Sequence, residues 1–353
     1  MNNAKSKAVE DIFRSQVEKS SKIKNAYLLV HSDKLDLHLN TAEGATGDFP
    51  AHPEQINYMA SVGKLFTSTI ISILYERGEL DFDDSISSYL DAELLDGLHL
   101  YKGKDYTEQI KIKHLLKQTS GLNDYFWPLL EKVLADKEYK ITTQEAIIWG
   151  KKNLKPYGPP GKKLHYTDTN YHLLGLIAEN IRGKQFHEIL KKEIFEPLEM
   201  EHSFMLHRSK PIKENPYPTA HFSIDGTVVN DFKTFAEIDY AGGGIAADME
   251  DLLKFMQAIV SCRIISEQTL EMMKNDSDKI YLGIDYGYGI WRLKTIPIFM
   301  PKKYNCWGCV GAVGSFMFYH PDLDTYLIGN FNDKSYERKA LRFMLKLIKK
   351  LYK

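Results

Sequence analysis

The stretch from Ser61 to Arg77 limits the architecture more than any other part of this chain. Val62, Leu65, Phe66, Ile70, Ile71, Ile73 and Leu74 spread apolar side chains over most sides of a helix, and Gly78 can end it. Such a helix has no face to give to water, so it must lie in the middle of a sizeable domain. The chain has 353 residues, 43% of them hydrophobic, with 21 Tyr and 17 Phe, which suffices for a large core. On the N-terminal side, Ala26–Val30 is an apolar run and Leu35–Leu39 alternates with period two, with Ser32-Asp33-Lys34 as the turn between them. Near the other end, Tyr288–Leu293, Ser315–His320 and Thr325–Phe331 read as strands, with a turn at Asp322. Residues from about 80 to 280 read as mostly helical, broken by loops such as Tyr157-Gly158-Pro159-Pro160-Gly161. The expected fold is α/β: an antiparallel sheet built from both chain termini plus a mostly helical region. Residues 1–24 form an N-terminal extension and 25–353 one domain. Its sheet part covers about 25–60 and 285–353, and its helical part about 61–284.

A net charge of -1 gives no basic excess for a nucleic-acid partner. Three cysteines, Cys262, Cys306 and Cys309, are too few for a disulfide framework. The charged N-terminal segment lacks the apolar core of a secretory signal, and no apolar run approaches a membrane span, so the cytoplasm is the expected compartment. Residues 338–353 form a basic amphipathic helix pattern. It is read as a last helix packed on the sheet with a solvated lysine face; contact with a membrane surface is the alternative.

Three segments carry chemistry. Ser61-Val62-Gly63-Lys64 places a hydroxyl and an amine three residues apart on one helical face. A serine needs a base, and a lysine can be one if burial and the positive end of the helix dipole lower its pKa. Further on, Tyr166 can relay protons and Asp168 can hold a lysine through a charge-assisted bond. The plainer reading of that segment is a loop that caps the next helix through Asp168 or Thr169. Last, Gly308, Gly311 and Gly314 lie in a strand-like region, where glycine admits close approach of a chain or ligand and a strand edge can lend an N–H to an oxyanion.

In this order the three segments resemble the serine β-lactamase and penicillin-binding-protein superfamily, in the branch of class C β-lactamases, D-alanyl-D-alanine carboxypeptidases, D-aminopeptidases and related esterases. The S-x-x-K, Y-x-N and K-T-G or H-x-G motifs of that family correspond to Ser61–Lys64, Tyr166–Asp168 and Cys309–Gly311. Further matches are Glu76–Asp84, His114–Leu122, Pro159-Pro160-Gly161 and Gly242-Gly243-Gly244, so the resemblance runs from about residue 25 to the end. It implies a β-lactamase/transpeptidase-like fold and acylation of Ser61. Lys64 would activate the serine, Tyr166 would relay the proton, and the N–H groups of Ser61 and Ala312 would form the oxyanion hole. Asp168, Cys309, Gly311 and Ala312 are the implied substrate-binding residues. No cofactor or metal is implied, and the partner is a small-molecule or peptide substrate. Two departures stand out. Asp168 replaces the usual Asn; it cannot donate a hydrogen bond and tends to keep Lys64 charged. Cys309 replaces Lys or His, so recognition of a substrate carboxylate loses its usual cation. The expected activity is hydrolysis of an ester or amide through an acyl-enzyme. The rival is a catalytically weak binding or scaffold protein with the same fold. Cys306-Trp307-Gly308-Cys309 is set aside as a redox or zinc motif, because residues three apart on a strand face opposite ways.

Overall fold

The computed structural model describes residues 2–296 and 301–352. Nine strands form the main sheet. Three come from the N-terminal side: β1 (Asn25–Ser32), β2 (Leu37–Thr46) and β3 (Phe49–Pro50). Six come from the C-terminal side: β4 (Asp278–Tyr281), β5 (Ile284–Tyr286), β6 (Trp291–Leu293), β7 (Cys306–Gly311), β8 (Ser315–His320) and β9 (Thr325–Asn330). Their order is β4-β5-β6-β7-β8-β9-β1-β2-β3. Both chain ends meet inside the sheet, where β1 runs antiparallel to β9 with Tyr27 opposite Asn330.

Period-two alternation on the central strands serves two buried faces. On one face Tyr27, Leu29, Met317 and Ile328 join the large core shared with the helical part. On the other, Leu28, Val30, Phe316, Phe318 and Leu327 join a second core. Cys306 belongs to the second core and Cys309 to the first, the opposite-facing arrangement that strand geometry requires.

Two helices cover the second face. Residues 1–24 include α1 (Asn2–Glu18), whose Val9 and Phe13 are fully buried, with the Phe13 ring against Phe331 and Phe343. The C-terminal α7 (Glu337–Leu351) buries Ala340, Phe343, Met344, Leu347, Ile348 and Leu351, one stripe at helical spacing. Between the chain ends lie α2 (Gly63–Glu76), α3 (Phe126–Ala135), α4 (Asp168–Arg182), α5 (Phe235–Gly243) and α6 (Met249–Val260). Every residue of α2 from Gly63 to Leu74 is buried, and Phe66 stacks on Phe255 of α6 with ring centroids 3.7 Å apart. Gly78, at φ 71°, follows the helix end. Among the described residues no helix is long and apolar enough to cross a membrane.

The expected helical part is less uniform than the sequence suggests. It contains β4 and two strands, Ile245–Ala247 and Phe204–Met205, of a small three-stranded sheet whose third strand, Asn57–Tyr58, precedes it. The expected strand from Tyr288 shortens to β6. β4 and β5 form a hairpin whose tip exposes Tyr281 and Leu282, so no one-sided burial marks it in the sequence.

Phe13→Ala should destabilise the protein by about 3–5 kcal/mol in denaturant unfolding, the cost of a large cavity in a closed core. A loss below about 1 kcal/mol would mean that α1 adds little to the second core.

Candidate active site

Ser61 lies in a single tight turn, Ala60–Val62, that leads directly into α2. Ala60, just before it, has φ 48°, a conformation unfavourable to a residue with a Cβ. The surroundings fix this turn. Ser315 Oγ donates to Met59 O at 2.7 Å, Asn330 Nδ2 donates to Tyr58 O at 2.8 Å, and Met59 N donates to Ile245 O at 2.9 Å. Gly311, at the end of β7, presses against the turn: a Cβ there would lie 2.5 Å from Met59 O. Only glycine permits this approach, which sets Gly311 and Ala312 in the same cavity wall as Ser61.

One turn into the helix, Lys64 is fully buried and its ammonium has three acceptors. It donates to Ser61 Oγ at 3.0 Å, to Gly242 O at 2.7 Å and to Asp168 Oδ1. The Gly242 contact depends on two other glycines. A Cβ on Gly63 would lie 3.0 Å from Gly243 Cα, so α2 and α5 can meet backbone to backbone. At Tyr240 (φ 32°) the helical path of α5 breaks, just before the glycine run.

Asp168 is the first residue of α4. The cap itself is Thr167, which accepts from Asn170 N at 3.4 Å and leaves Asp168 to Lys64. Gln118 and Ser120 anchor this helix start: Thr167 N donates to Gln118 Oε1 at 3.0 Å and Ser120 Oγ donates to Asn170 Oδ1 at 2.5 Å. The loop before it is tied to the same segment through Gly161 N to Thr119 O and His165 N to Gln118 O. Tyr166 follows. Its ring centroid lies 5.1 Å from Lys64 Nζ, and the ring meets Tyr286 edge-on.

Two opposed expectations meet at Lys64: burial and the helix dipole as a depressing influence, and Asp168 as a group that keeps it charged. Burial does push Lys64 toward the neutral amine, but the charge and hydrogen bond of Asp168 outweigh it, and the net shift is upward. Lys64 is therefore a cation at rest, not a lysine with a depressed pKa. Burial pushes the Tyr166 hydroxyl up to about 12; Asp168 adds to this, while Lys64 and Ser61 oppose it. Two carboxylates missed by the sequence reading complete the site. Burial and then Asp168 push Asp124 up to about 7. The same two causes push Asp239 to about 7, against the Tyr58 hydroxyl, which donates to Asp239 Oδ2 at 2.8 Å. Each lay close to a quoted motif, Asp124 two residues after Leu122 and Asp239 three before Gly242, but neither belongs to one.

These groups open on a cavity of about 490 Å³ lined by Ser61, Tyr166, Asp124, Asp168, Asp239, Gly311 and Ala312, among others. Cys309 lies behind this wall. It is buried, its Sγ sits 3.8 Å from Val62 O, and burial pushes its thiol pKa up. The site thus unites Ser61, Lys64, Tyr166 and Asp168 and leaves Cys309 outside the cavity. A separate group, His202, Asp248 and Asp251, has the spacing to hold a metal ion. Its atoms already serve the start of α6, where Asp248 accepts from Asp251 N at 2.8 Å and Asp251 accepts from Ser203 Oγ and Lys254 Nζ.

Comparisons with known proteins agree with this fold. The family model described as Beta-lactamase matches residues 10–348. A penicillin-binding protein of Bacillus subtilis is 25% identical over 269 residues, 70% of this chain and 54% of that protein. The chain spans about half the length of the curated relatives it matches first. Among solved structures, a D-stereospecific amidohydrolase from Streptomyces superposes with a TM-score of 0.77 at 20% identity, covering 97% of both chains. A D-amino acid amidase from Ochrobactrum anthropi does so with 0.80 at 18% identity, covering 99% of this chain and 98% of its own. At these identities the likeness shows the shared fold.

Asp239 also yields a stability prediction. Between about pH 4 and pH 7 the unfolded chain has lost this proton while the folded chain keeps it, so stability falls as pH rises through that window. Asp239→Asn cannot ionise and retains an acceptor for Tyr58. Its stability relative to the parent should grow between pH 4 and pH 8, by on the order of 2–4 kcal/mol at about 1.4 kcal/mol per pKa unit. Denaturant unfolding at both pH values checks this; an equal difference at both would show that Asp239 ionises normally in the fold.

Proposed function

Because the chain belongs to the Beta-lactamase family, we propose that it is a serine hydrolase that cleaves an ester or amide through an acyl-enzyme on Ser61. One observation carries the reading: Lys64 Nζ lies 3.0 Å from Ser61 Oγ in the wall of a cavity that also holds Tyr166 and Ala312. Ser61 Oγ would bond to the substrate carbonyl carbon while the N–H groups of Ser61 and Ala312 hold the developing oxyanion. The serine proton would pass through Lys64 and Tyr166 to the leaving alcohol or amine as its bond to carbon breaks. Water would then release the acid and return the proton to Ser61.

The charged state of Lys64 adds a condition. An ammonium with three acceptors cannot take the serine proton, so the reactive form requires a proton to leave the Lys64–Tyr166 pair first. The fraction in that form is small at neutral pH and rises as pH rises. The same observation supports a second reading, a weakly catalytic protein that binds acyl compounds and turns them over slowly. The two differ in whether the acyl-enzyme is released.

Intact-protein mass after incubation with p-nitrophenyl esters and penicillins tests the proposal. The parent should gain one acyl mass and Ser61→Ala none, with the variant still folded. Labelling of the alanine variant at the parent's rate would overturn the assignment of Ser61. Lys64→Ala and Tyr166→Phe should each slow acylation by on the order of 100-fold. Their double variant should lose less than the product of the single losses, because both belong to one proton path. Strictly multiplicative losses would separate their roles.

A further inference from the structure

The hairpin of β1 and β2 carries two histidines that take no part in the cavity. His31 and His38 stand directly opposite each other in the antiparallel register, where side chains are close neighbours on one face of the sheet. Their Nδ1 atoms face each other across 3.2 Å, and the rings meet edge-on. Each far nitrogen faces a carboxylate. His38 Nε2 lies 3.1 Å from Oε1 of Glu250, at the start of α6, and His31 Nε2 lies 3.5 Å from Asp33 Oδ1. The same Glu250 oxygen accepts from Asn40 Nδ2 at 2.9 Å, which holds it in place. The His31 ring also stacks on Tyr326 of β9.

A neutral imidazole has one N–H and one lone pair. With the proton of both rings on Nε2, both carboxylates are satisfied, but two Nδ1 lone pairs face each other with nothing between them. Moving the proton of either ring to Nδ1 closes that gap and sets the bare Nε2 of that ring against a carboxylate. No neutral arrangement of the pair is free of conflict. A metal ion shared by the two Nδ1 atoms removes it, because both lone pairs are then used and both Nε2–H groups donate to carboxylates. A metal-bound histidine normally donates its other N–H in this way, to a carboxylate or a carbonyl. The separation also fits. With metal–nitrogen bonds of about 2.0–2.1 Å, two nitrogens 3.2 Å apart subtend an angle of about 100° at the metal.

We propose that His31 and His38 form a two-imidazole site for a divalent transition-metal ion of the zinc, nickel and copper class, with water completing its shell and Glu250 and Asp33 orienting the rings. Imidazole suits these ions, whereas magnesium and calcium prefer oxygen ligands. The His38 side chain is 49% exposed, which gives the ion a path in and leaves room for water. The site lies apart from the catalytic cavity, whose lining contains neither histidine. A bound ion would pin the β1–β2 hairpin, and the hydrogen bond from His38 to Glu250 would carry that constraint to α6.

Equilibrium dialysis of the untagged protein against Zn²⁺, with Mg²⁺ as the control, tests the site without any assay of Ser61. The parent should bind Zn²⁺ at micromolar concentration and not Mg²⁺. His31→Asn and His38→Asn should each remove this binding. Glu250→Ala should weaken it by about tenfold or more, the usual effect of losing a carboxylate that orients a metal-bound histidine. His202→Asn should leave it unchanged, which separates this site from the group of His202, Asp248 and Asp251. His38→Asn is the decisive variant, because His38 is the more exposed of the two histidines and lies outside both cores. A parent that binds no Zn²⁺, or binds Mg²⁺ equally well, would overturn the proposal. So would Zn²⁺ binding that His38→Asn leaves intact.

Discussion

The buried ion pair of Lys64 and Asp168 organises the rest of the site. Removing either charge would leave the other unpaired out of water, a cost of several kcal/mol. The pair fixes the start of α2 relative to the start of α4, and so places Ser61 beside Tyr166. It also explains the behaviour of the neighbouring acids. The one cation is shared, so for any further carboxylate in the same low-dielectric space Lys64 offsets the repulsion from Asp168 only in part. Asp124 and Asp239 are held near 7 by burial and this repulsion.

Precision around this pair comes from glycine. Gly63 and Gly243 allow α2 and α5 to touch, and the Gly242 carbonyl thereby reaches the ammonium. Gly311 allows β7 to meet the Ser61 turn. In each place a Cβ would collide with backbone, which cannot move aside as a flexible side chain could. The two-ended sheet supplies the rigid base: Asn330 on β9 and Ser315 on β8 both donate to the backbone just before Ser61. The chemistry sits where the N-terminal chain, the C-terminal strands and the helical part converge.

Much of this was legible in the sequence, for identifiable reasons. The buried helix after Ser61 and the strands Ser315–His320 and Thr325–Asn330 carry strong periodic patterns, and the structure reproduces them to within a residue or two. The pairing of Asp168 with Lys64 follows from charge and motif order. Other features left no local mark. The hairpin of β4 and β5 is mostly half-buried, with an exposed tip, so burial writes little pattern into it. Asp124 and Asp239 look like ordinary loop and helix acids until folding brings them to one cavity. The sign of the Lys64 shift depended on whether Asp168 or burial prevails, and only the contact between the two side chains decides that.

Under the proposed acyl-enzyme chemistry, Asp168 keeps Lys64 protonated and so limits the readiness of Ser61 to be acylated. The most direct measurement is the pH dependence of Ser61 acylation by a neutral activated ester, in the parent and in Asp168→Asn. Removing the anion lowers the Lys64 pKa, so the alkaline rise in acylation rate should move to lower pH by about 1–3 units in the variant, the effect expected for an opposite charge in contact. A pH profile with an unchanged midpoint would contradict the account, because Lys64 would then not be the group whose proton Asp168 controls.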